Sequence, residues 1–193
     1  MERKINFKQA IGTHTLLYGG ANTKKTYYTA QFIEFLIITE HIKPSSISIL
    51  DFAPPLNMIG TIKFGGKIKD FSKISLKCKN LPIRKEIIPP RFSAQDKKEL
   101  YEYLCHNYKI THKALNIFKK NPTKFLVIND LSLYLHLGNK RYLLDIIKSV
   151  NTFFGNTYYG GEIKSTFNKL LSIKERKRVD FLVKHLENVI FTS

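Results

Sequence analysis

Apolar and polar positions follow one another along the chain in a repeating strand–helix order. Residues 14–18 form a short apolar run that ends in Gly19 and Gly20, which is typical of a buried strand and a turn. Residues 25–42 contain neither Gly nor Pro and carry apolar side chains at helical spacing, so they predict a helix. A second apolar run, residues 47–51, predicts another strand. This βαβ unit implies a parallel sheet.

The rest of the chain continues the pattern. Residues 62–64 and 67–69, on either side of Gly65-Gly66, predict a small hairpin, and residues 74–77 predict a further strand. Ser93 predicts the N-cap of a helix over residues 94–106, with a second helical stretch reaching residue 120. The later predicted elements are a buried strand at 124–130, a helix at 140–148, an aromatic strand at 152–159, a helix at 173–186 and a strand at 188–192.

These elements together predict an α/β fold. We expect a single domain over residues 1–193, with a mainly parallel sheet of about five strands flanked by helices. A small basic β insertion is expected at about residues 60–91, closed by Pro89-Pro90.

Composition excludes several classes of protein. The chain is 43% apolar over 193 residues, which is enough for one packed core. No apolar run approaches the roughly 18 residues that cross a bilayer, and the first eight residues lack the core of a secretory signal. Cys78 and Cys105 cannot by themselves build a disulfide framework or a metal site. We therefore expect a cytoplasmic protein with reduced thiols.

The charge is strongly positive and concentrated in the insertion. Lys and Arg number 32 against 15 acidic residues, a formal charge of +17, and residues 60–91 hold nine cations against two acids. Such a segment favours an acidic partner such as a nucleic acid. A solvated basic face is the alternative, and the excess of Lys over Arg is also what an AT-rich coding sequence produces.

The turn after the first predicted strand carries the clearest motif. A P-loop has the pattern G-x-x-x-x-G-K-[ST] between a strand and a helix, so that backbone N–H groups surround a phosphate at the positive helix end. The chain matches it at Gly19, Lys25 and Thr26 and departs from it at Lys24, where we expect a negative φ that tolerates a side chain. The predicted phosphate-binding residues are Gly19, Gly20, Ala21, Asn22, Thr23, Lys24, Lys25 and Thr26.

Two acidic residues follow predicted strands. Asp130 comes after the apolar run 125–128, and Asp51 ends the strand that follows the predicted P-loop helix. Parallel strands present such residues at one edge of a sheet, where phosphoryl chemistry needs a carboxylate near Mg²⁺. Asp130 is thus a candidate metal residue together with Thr26, and Asp51 is a candidate catalytic acid. Either Asp could instead only form a turn.

Over residues 19–130 the chain resembles the P-loop NTPases, and more loosely their RecA-like group, which includes archaeal recombinases and the circadian-clock ATPases. The resemblance implies that Lys25 contacts the β- and γ-phosphates, that Thr26 ligates Mg²⁺ and that Asp130 holds the metal or its waters. Asp51 stands where that group has its catalytic acid, usually Glu, and Asn156 where it has a polar sensor. No N-K-x-D guanine motif is present in the sequence, so ATP is the expected nucleotide.

These expectations add up to Mg²⁺-dependent binding of ATP, with hydrolysis supported by Lys25 and Asp51. Three alternatives stay open: a non-catalytic nucleotide sensor or interaction protein, a basic nucleic-acid-binding protein with a vestigial P-loop, and a small-molecule kinase. Leu131 rather than Glu follows Asp130, which favours the first of these. Phosphate clamps or arginine fingers could come from Arg84, Arg91 or Arg141, and the sequence selects neither among them nor an oligomeric state.

Overall fold

The apolar runs of the sequence form a parallel sheet in this computed structural model, which describes residues 5–59, 62–83, 85–160 and 169–193. The strands are β1 (His14–Gly19), β2 (Ile47–Asp51), β3 (Asn57–Ile59), β4 (Ile62–Phe64), β5 (Lys79–Asn80), β6 (Phe125–Asn129), β7 (Thr152–Tyr158) and β8 (Asn188–Thr192). Six of them form one sheet in the order β5-β2-β6-β7-β1-β8, with every neighbouring pair parallel. β3 and β4 form a separate antiparallel hairpin.

Helices lie between the strands. They are α1 (Lys25–Glu34), α2 (Ile68–Phe71), α3 (Pro90–Ser93), α4 (Lys97–Lys120), α5 (Ser132–Leu135), α6 (Lys140–Lys148) and α7 (Lys169–Val183). A π-helical turn, Phe35–Thr39, extends α1, and 3-10 turns occupy Phe7–Ala10, Pro44–Ser46 and Lys73–Lys77. Within the described ranges no helix combines the length and the apolar character needed to cross a membrane.

The four central strands of the sheet, β2, β6, β7 and β1, are buried on both faces, which explains why they carry largely continuous rather than alternating apolar residues. Successive residues point to opposite faces, so Leu16 and Leu126 lie in one core cluster while Leu17 and Val127 lie in the other. The first cluster also holds apolar side chains of α4, α6 and α7, and the second holds those of α1. The predicted α/β class, with a mainly parallel sheet flanked by helices, is therefore confirmed.

The basic segment folds differently from the expectation. The hairpin pairs residues 57–59 with 62–64, not 62–64 with 67–69, because the chain folds back at Gly65 and Gly66, whose φ angles are +74° and +112°. Lys67 then begins a helical turn, in which its N–H donates to the Asp70 carboxylate (2.8 Å). The predicted strand at 74–77 is wrong as well, since these residues belong to a 3-10 turn.

This segment is part of the main core. Ile68 and Cys78 pack in the α1 cluster, and Leu81 and Ile87 pack in the opposite one. β5 adds to the edge of the main sheet beside β2. Both Cys78 and Cys105 are free thiols, and burial raises the pKa of Cys78 to about 11.

The long helix α4 begins later than the sequence suggested. Ser93 is not its N-cap, because it ends the short helix α3. Asp96 takes that role, with its Oδ1 accepting a hydrogen bond from the Glu99 N–H (2.8 Å), and the 24-residue helix runs unbroken to Lys120. The last helix also differs, since α7 spans Lys169–Val183 instead of 173–186.

Candidate functional site

The loop between β1 and α1 is held against the end of the last strand. A Cβ at Gly19 would lie 2.0 Å from the carbonyl oxygen of Thr192, so only glycine fits there. The Thr192 hydroxyl also lies 2.7 Å from the Thr23 hydroxyl within the loop. The predicted strand–turn–helix placement is therefore present, and β8 anchors the turn.

The backbone of Lys24 differs from the expectation of a negative φ at this position. Its φ is +57° and its ψ is 16°, a left-handed conformation, where the sequence suggested a negative φ. The motif has glycine at this position, which is the residue that adopts positive φ without a steric penalty. Lys24 accepts the strained conformation instead and brings a second cation to the loop, next to Lys25. Asn22 is left-handed too, with φ +58°.

Lys25 folds back over the loop that precedes it. Its Nζ donates to the Gly20 carbonyl and to the Thr23 hydroxyl (2.9 Å). Lys24, at the N-cap position of α1, makes no side-chain cap hydrogen bond. The first N–H groups of a helix have no partners within it, so they and the Lys25 ammonium form a site that favours an anion.

Thr26 contacts Asn129, a residue that sequence reasoning missed. The Thr26 hydroxyl donates to Asn129 Oδ1 (3.2 Å), which also accepts from Asn156 Nδ2 (2.8 Å). Asn129 Nδ2 donates to Asp51 Oδ1 (2.8 Å) and to the Gly66 carbonyl (3.1 Å). Both ends of the amide are satisfied, and this fixes its orientation. The available signal was register, because parallel pairing places Asn129 beside Asp51.

Asp130 lies one residue further and points elsewhere. It is left-handed (φ +58°), its N–H donates to Asn156 Oδ1 (3.1 Å), and its carboxylate accepts from the Ser132 hydroxyl. Burial raises its pKa; the Ser132 hydrogen bond acts in the opposite direction, and the Glu175 charge raises the pKa further. Asp130 lines the same cavity as Lys25, although no hydrogen bond joins its carboxylate to Thr26 in the described structure. Its metal role stays a prediction.

Asp51 lies behind Asn129 and not in the cavity wall. Its second carboxylate oxygen accepts from the Ile68 N–H (2.8 Å), and Lys67 Nζ donates to its carbonyl (3.2 Å). Burial raises the pKa of Asp51, and the nearby Lys67 charge offsets part of that effect. Burial likewise lowers the pKa of Lys67. The predicted catalytic role of Asp51 is untested, and its carboxylate is engaged in structural hydrogen bonds.

Asn156 joins the parts of the site. It lies on β7, between β1 and β6, and its Nδ2 donates to the Thr29 hydroxyl (2.8 Å) of α1 as well as to Asn129. A continuous hydrogen-bond network thus runs from the first turns of α1 across the carboxyl ends of three neighbouring strands. In open α/β sheets ligands bind at that edge.

A cavity of about 810 Å³ opens in front of the loop. Its wall includes residues 21–26 of the loop, Asp130 and Asn156, while further apolar side chains come from the segments after β2 and before α4. Of the three arginines considered, Arg91 lines this cavity, Arg141 is exposed on α6, and Arg84 lies outside the described residues. Ligand pockets for small molecules have volumes of about 300–1,000 Å³, so the cavity is of the right size.

The chemistry of the donors suits Mg²⁺ only in part. A Thr hydroxyl and a carboxylate are hard oxygen ligands, which Mg²⁺ takes together with phosphate oxygens and water. The side chain bonded to Thr26 is, however, the neutral amide of Asn129. Among the described residues, no three His, Cys, Asp or Glu side chains are grouped as a metal site. Comparison with known proteins adds no assignment, since no family model and no curated protein matches the chain.

Proposed function

We propose that the chain binds a nucleoside triphosphate, with ATP as the first candidate, at residues 19–26. The observation that carries this proposal is the position of Lys25, whose ammonium lies over a glycine-led turn at the start of α1 and which lines a cavity of about 810 Å³. The backbone N–H groups of the loop would hold the phosphates, and Lys25 would neutralise their charge. Lys24 supplies a second cation at the same helix end.

The residues beyond the loop support a metal-assisted site. Thr26 would give its hydroxyl to Mg²⁺ bound with the phosphates, and Asp130 would approach the ion or its waters from the cavity wall. Mg²⁺, when bound, would neutralise charge on the phosphate oxygens. Asn129 and Asn156 position these side chains through the hydrogen bonds that they share.

Calorimetric titration with a non-hydrolysable ATP analogue and Mg²⁺ tests the proposal. Lys25→Ala should weaken binding at least about 100-fold, because it removes a charge that contacts the phosphates directly. Lys124→Ala is the matched control, since it removes one positive charge beside Phe125, at the opposite end of β6. A folded Lys25→Ala protein that binds the analogue as well as the wild type does would refute the assignment.

A second candidate function, nucleotide binding without turnover, is favoured by Asn129. An amide cannot supply the negative charge that a carboxylate beside Thr26 would, and the Asp51 carboxylate already accepts two hydrogen bonds. We therefore expect slow release of phosphate from bound ATP under single-turnover conditions.

Asn129→Asp tests this point with a readout besides catalysis. The new carboxylate would face the Asp51 carboxylate, across the present 2.8 Å hydrogen bond, so the variant should be less stable than the wild type without metal. Mg²⁺ together with the analogue should stabilise the variant more than the wild type in thermal melts. Asn129→Ser, which adds no charge, is the control, and equal Mg²⁺ effects in both variants would argue against a metal position at Asn129.

A further inference from the structure

The cavity extends well past the phosphate loop. It is lined by residues that follow β2, β6 and β7, whereas no residue of β8 contributes to its described wall. Lys25 and Thr26, at the end of the loop where a terminal phosphate would lie, border the same space. The cavity therefore extends from the loop toward the segments that follow β2 and β6.

One wall of this space is aromatic and apolar. The rings of Phe64 and Phe92 stack with centroids 4.2 Å apart and an interplanar angle of 22°. Leu56 and Met58, which are 45% and 60% exposed, form an apolar rim beside them. A group of exposed apolar side chains around a cavity is typical of a ligand-binding surface, whereas single exposed apolar residues are common on any protein. This wall suits a flat, apolar body.

A second part of the cavity wall is polar and deeply buried. Glu175 of α7 pairs with the Arg91 guanidinium, which also donates to the Ser172 hydroxyl (2.7 Å) and lies over the Tyr158 ring (5.7 Å). His136 Nε2 lies 3.2 Å from Glu175 Oε1. Glu175 and His136 are each only 3% exposed, and both line the cavity.

Three atoms of this wall have no hydrogen bond to any described residue. They are His136 Nδ1, His136 Nε2 and Glu175 Oε1, all of them buried, and the contact of Oε1 with Nε2 lacks hydrogen-bond geometry. Buried polar atoms are normally hydrogen-bonded, so each calls for a partner. A carboxylate oxygen only accepts, and a His that holds its proton at Nε2 toward the carboxylate accepts at Nδ1. The missing partner is therefore a hydrogen-bond donor.

The charges in this wall are already balanced. The Arg91 guanidinium pairs with the Glu175 carboxylate and neutralises it. A charged ligand would find no unpaired opposite charge here and would lose its hydration on entering.

We propose that this end of the cavity is a second ligand site, which binds a neutral small molecule with a flat apolar body and a hydroxyl or amine group. The body would lie against Phe64 and Phe92, and the donor group would donate its hydrogen bond to Glu175 Oε1, beside His136. This inference goes beyond the binding of a nucleotide and stands without it.

A pair of probe molecules that differ only in the donor tests the site. 4-Ethylphenol and 4-ethylanisole share ring and alkyl group, but only the phenol has an O–H. Titrated at millimolar concentrations and followed by saturation-transfer NMR, the phenol should bind at least about tenfold more tightly, because its hydrogen bond goes to a charged acceptor. Equal affinities, or no binding of either probe, would overturn the proposal.

Three variants test whether the difference in affinity between the two probes arises at this site. Glu175→Gln should bring the two probes to similar affinity, and His136→Gln should do the same if the first variant fails to fold, as a thermal melt would show. Phe92→Ala should weaken both probes alike. Discrimination that persists in folded Glu175→Gln and His136→Gln would place the phenol elsewhere and refute the site. Lys25→Ala should lose nucleotide and keep the phenol, which separates the two proposals.

Discussion

At the scale of single residues, the proposed phosphate binding and the stability of the fold place opposite demands on Lys24. A non-glycine residue in the left-handed region costs about 1–2 kcal/mol, and the φ of +57° places Lys24 there. The left-handed conformation only destabilises the fold, whereas the Lys24 ammonium would stabilise an anion bound at the start of α1. The departure from the glycine pattern is thus a local strain that a bound phosphate would offset.

Lys24→Gly should therefore raise the free energy of unfolding and weaken phosphate binding together. We expect a gain of about 0.5–1 kcal/mol in urea denaturation, because relief of the left-handed strain outweighs the extra freedom of glycine in the unfolded chain. Lys113→Gly is the control: this exposed residue lies within α4, where the same replacement should cost about 1 kcal/mol. A loss of stability in both variants would contradict the strain.

The candidate site could be predicted from sequence only in part, and Asn129 shows why. A carboxylate that follows an apolar run is the expected metal residue, and this pattern indicates Asp130. The Thr26 hydrogen bond depends on where β6 ends relative to α1, a one-residue difference that no local pattern encodes. The sign of φ at Lys24 could not be predicted for a similar reason, because the turn as a whole sets this angle.

At the scale of elements, the strands that carry apolar runs could be predicted from the sequence. The strands that form only because a neighbouring strand pairs with them could not. β1, β2, β6 and β7 lie inside the sheet, and both of their faces are buried. β8 lies at the edge and also carries an apolar run, although Val189 and Phe191 are exposed. β5 has only two residues, Lys79 and Asn80, which are strand only because they pair with β2. The hairpin partner Asn57–Ile59 likewise depends on the fold-back at Gly65 and Gly66.

The start of α4 gives a prediction at this scale. Asp96 Oδ1 accepts from the Glu99 N–H (2.8 Å), while the Glu99 carboxylate accepts from the Gln95 N–H (2.7 Å). Asp96→Ala should lower the free energy of unfolding by about 1 kcal/mol, because it leaves a helix-start N–H without its acceptor. Ser93→Ala, at the cap that the sequence suggested, should change it by less than about 0.5 kcal/mol. Equal losses in chemical denaturation would count against Asp96 as the cap.

At the scale of the whole molecule, the chain combines a large excess of positive charge with a sheet edge that carries carboxylates. Asp51 and Asp130 lie at the carboxyl ends of neighbouring strands, in a chain whose formal charge is +17. Exposed lysines of the basic segment, such as Lys73 and Lys77, add to the surface charge away from the cavity wall. A nucleic-acid partner for this segment remains a prediction, and the same charge would attract nucleotides from a distance.

The pH dependence of the free energy of unfolding should reveal the cost of burying the Asp51 carboxylate. Burial raises the pKa of Asp51 in the folded state, so the unfolded chain releases the proton first as pH rises. Its contribution to stability is therefore greatest below the pKa of the unfolded chain, near 4, and falls until the pH passes the raised pKa. Acidification also increases the net positive charge of the whole molecule, so only differences between variants and the wild type isolate one group.

Two replacements should change the pH profile in opposite directions. Asp51→Asn should be most destabilising near pH 4 and less so at pH 7, because the variant no longer has to keep a buried carboxylate charged. At Glu187 burial would raise the pKa, but hydrogen bonds from backbone N–H groups and the charge of His14 bring it below its usual value. Glu187→Gln should hence cost more at pH 7 than at low pH, since the wild-type carboxylate loses its stabilising effect as it is protonated. Urea denaturation from pH 3 to 7 measures both differences, and slopes of the same sign would show that burial does not dominate at Asp51.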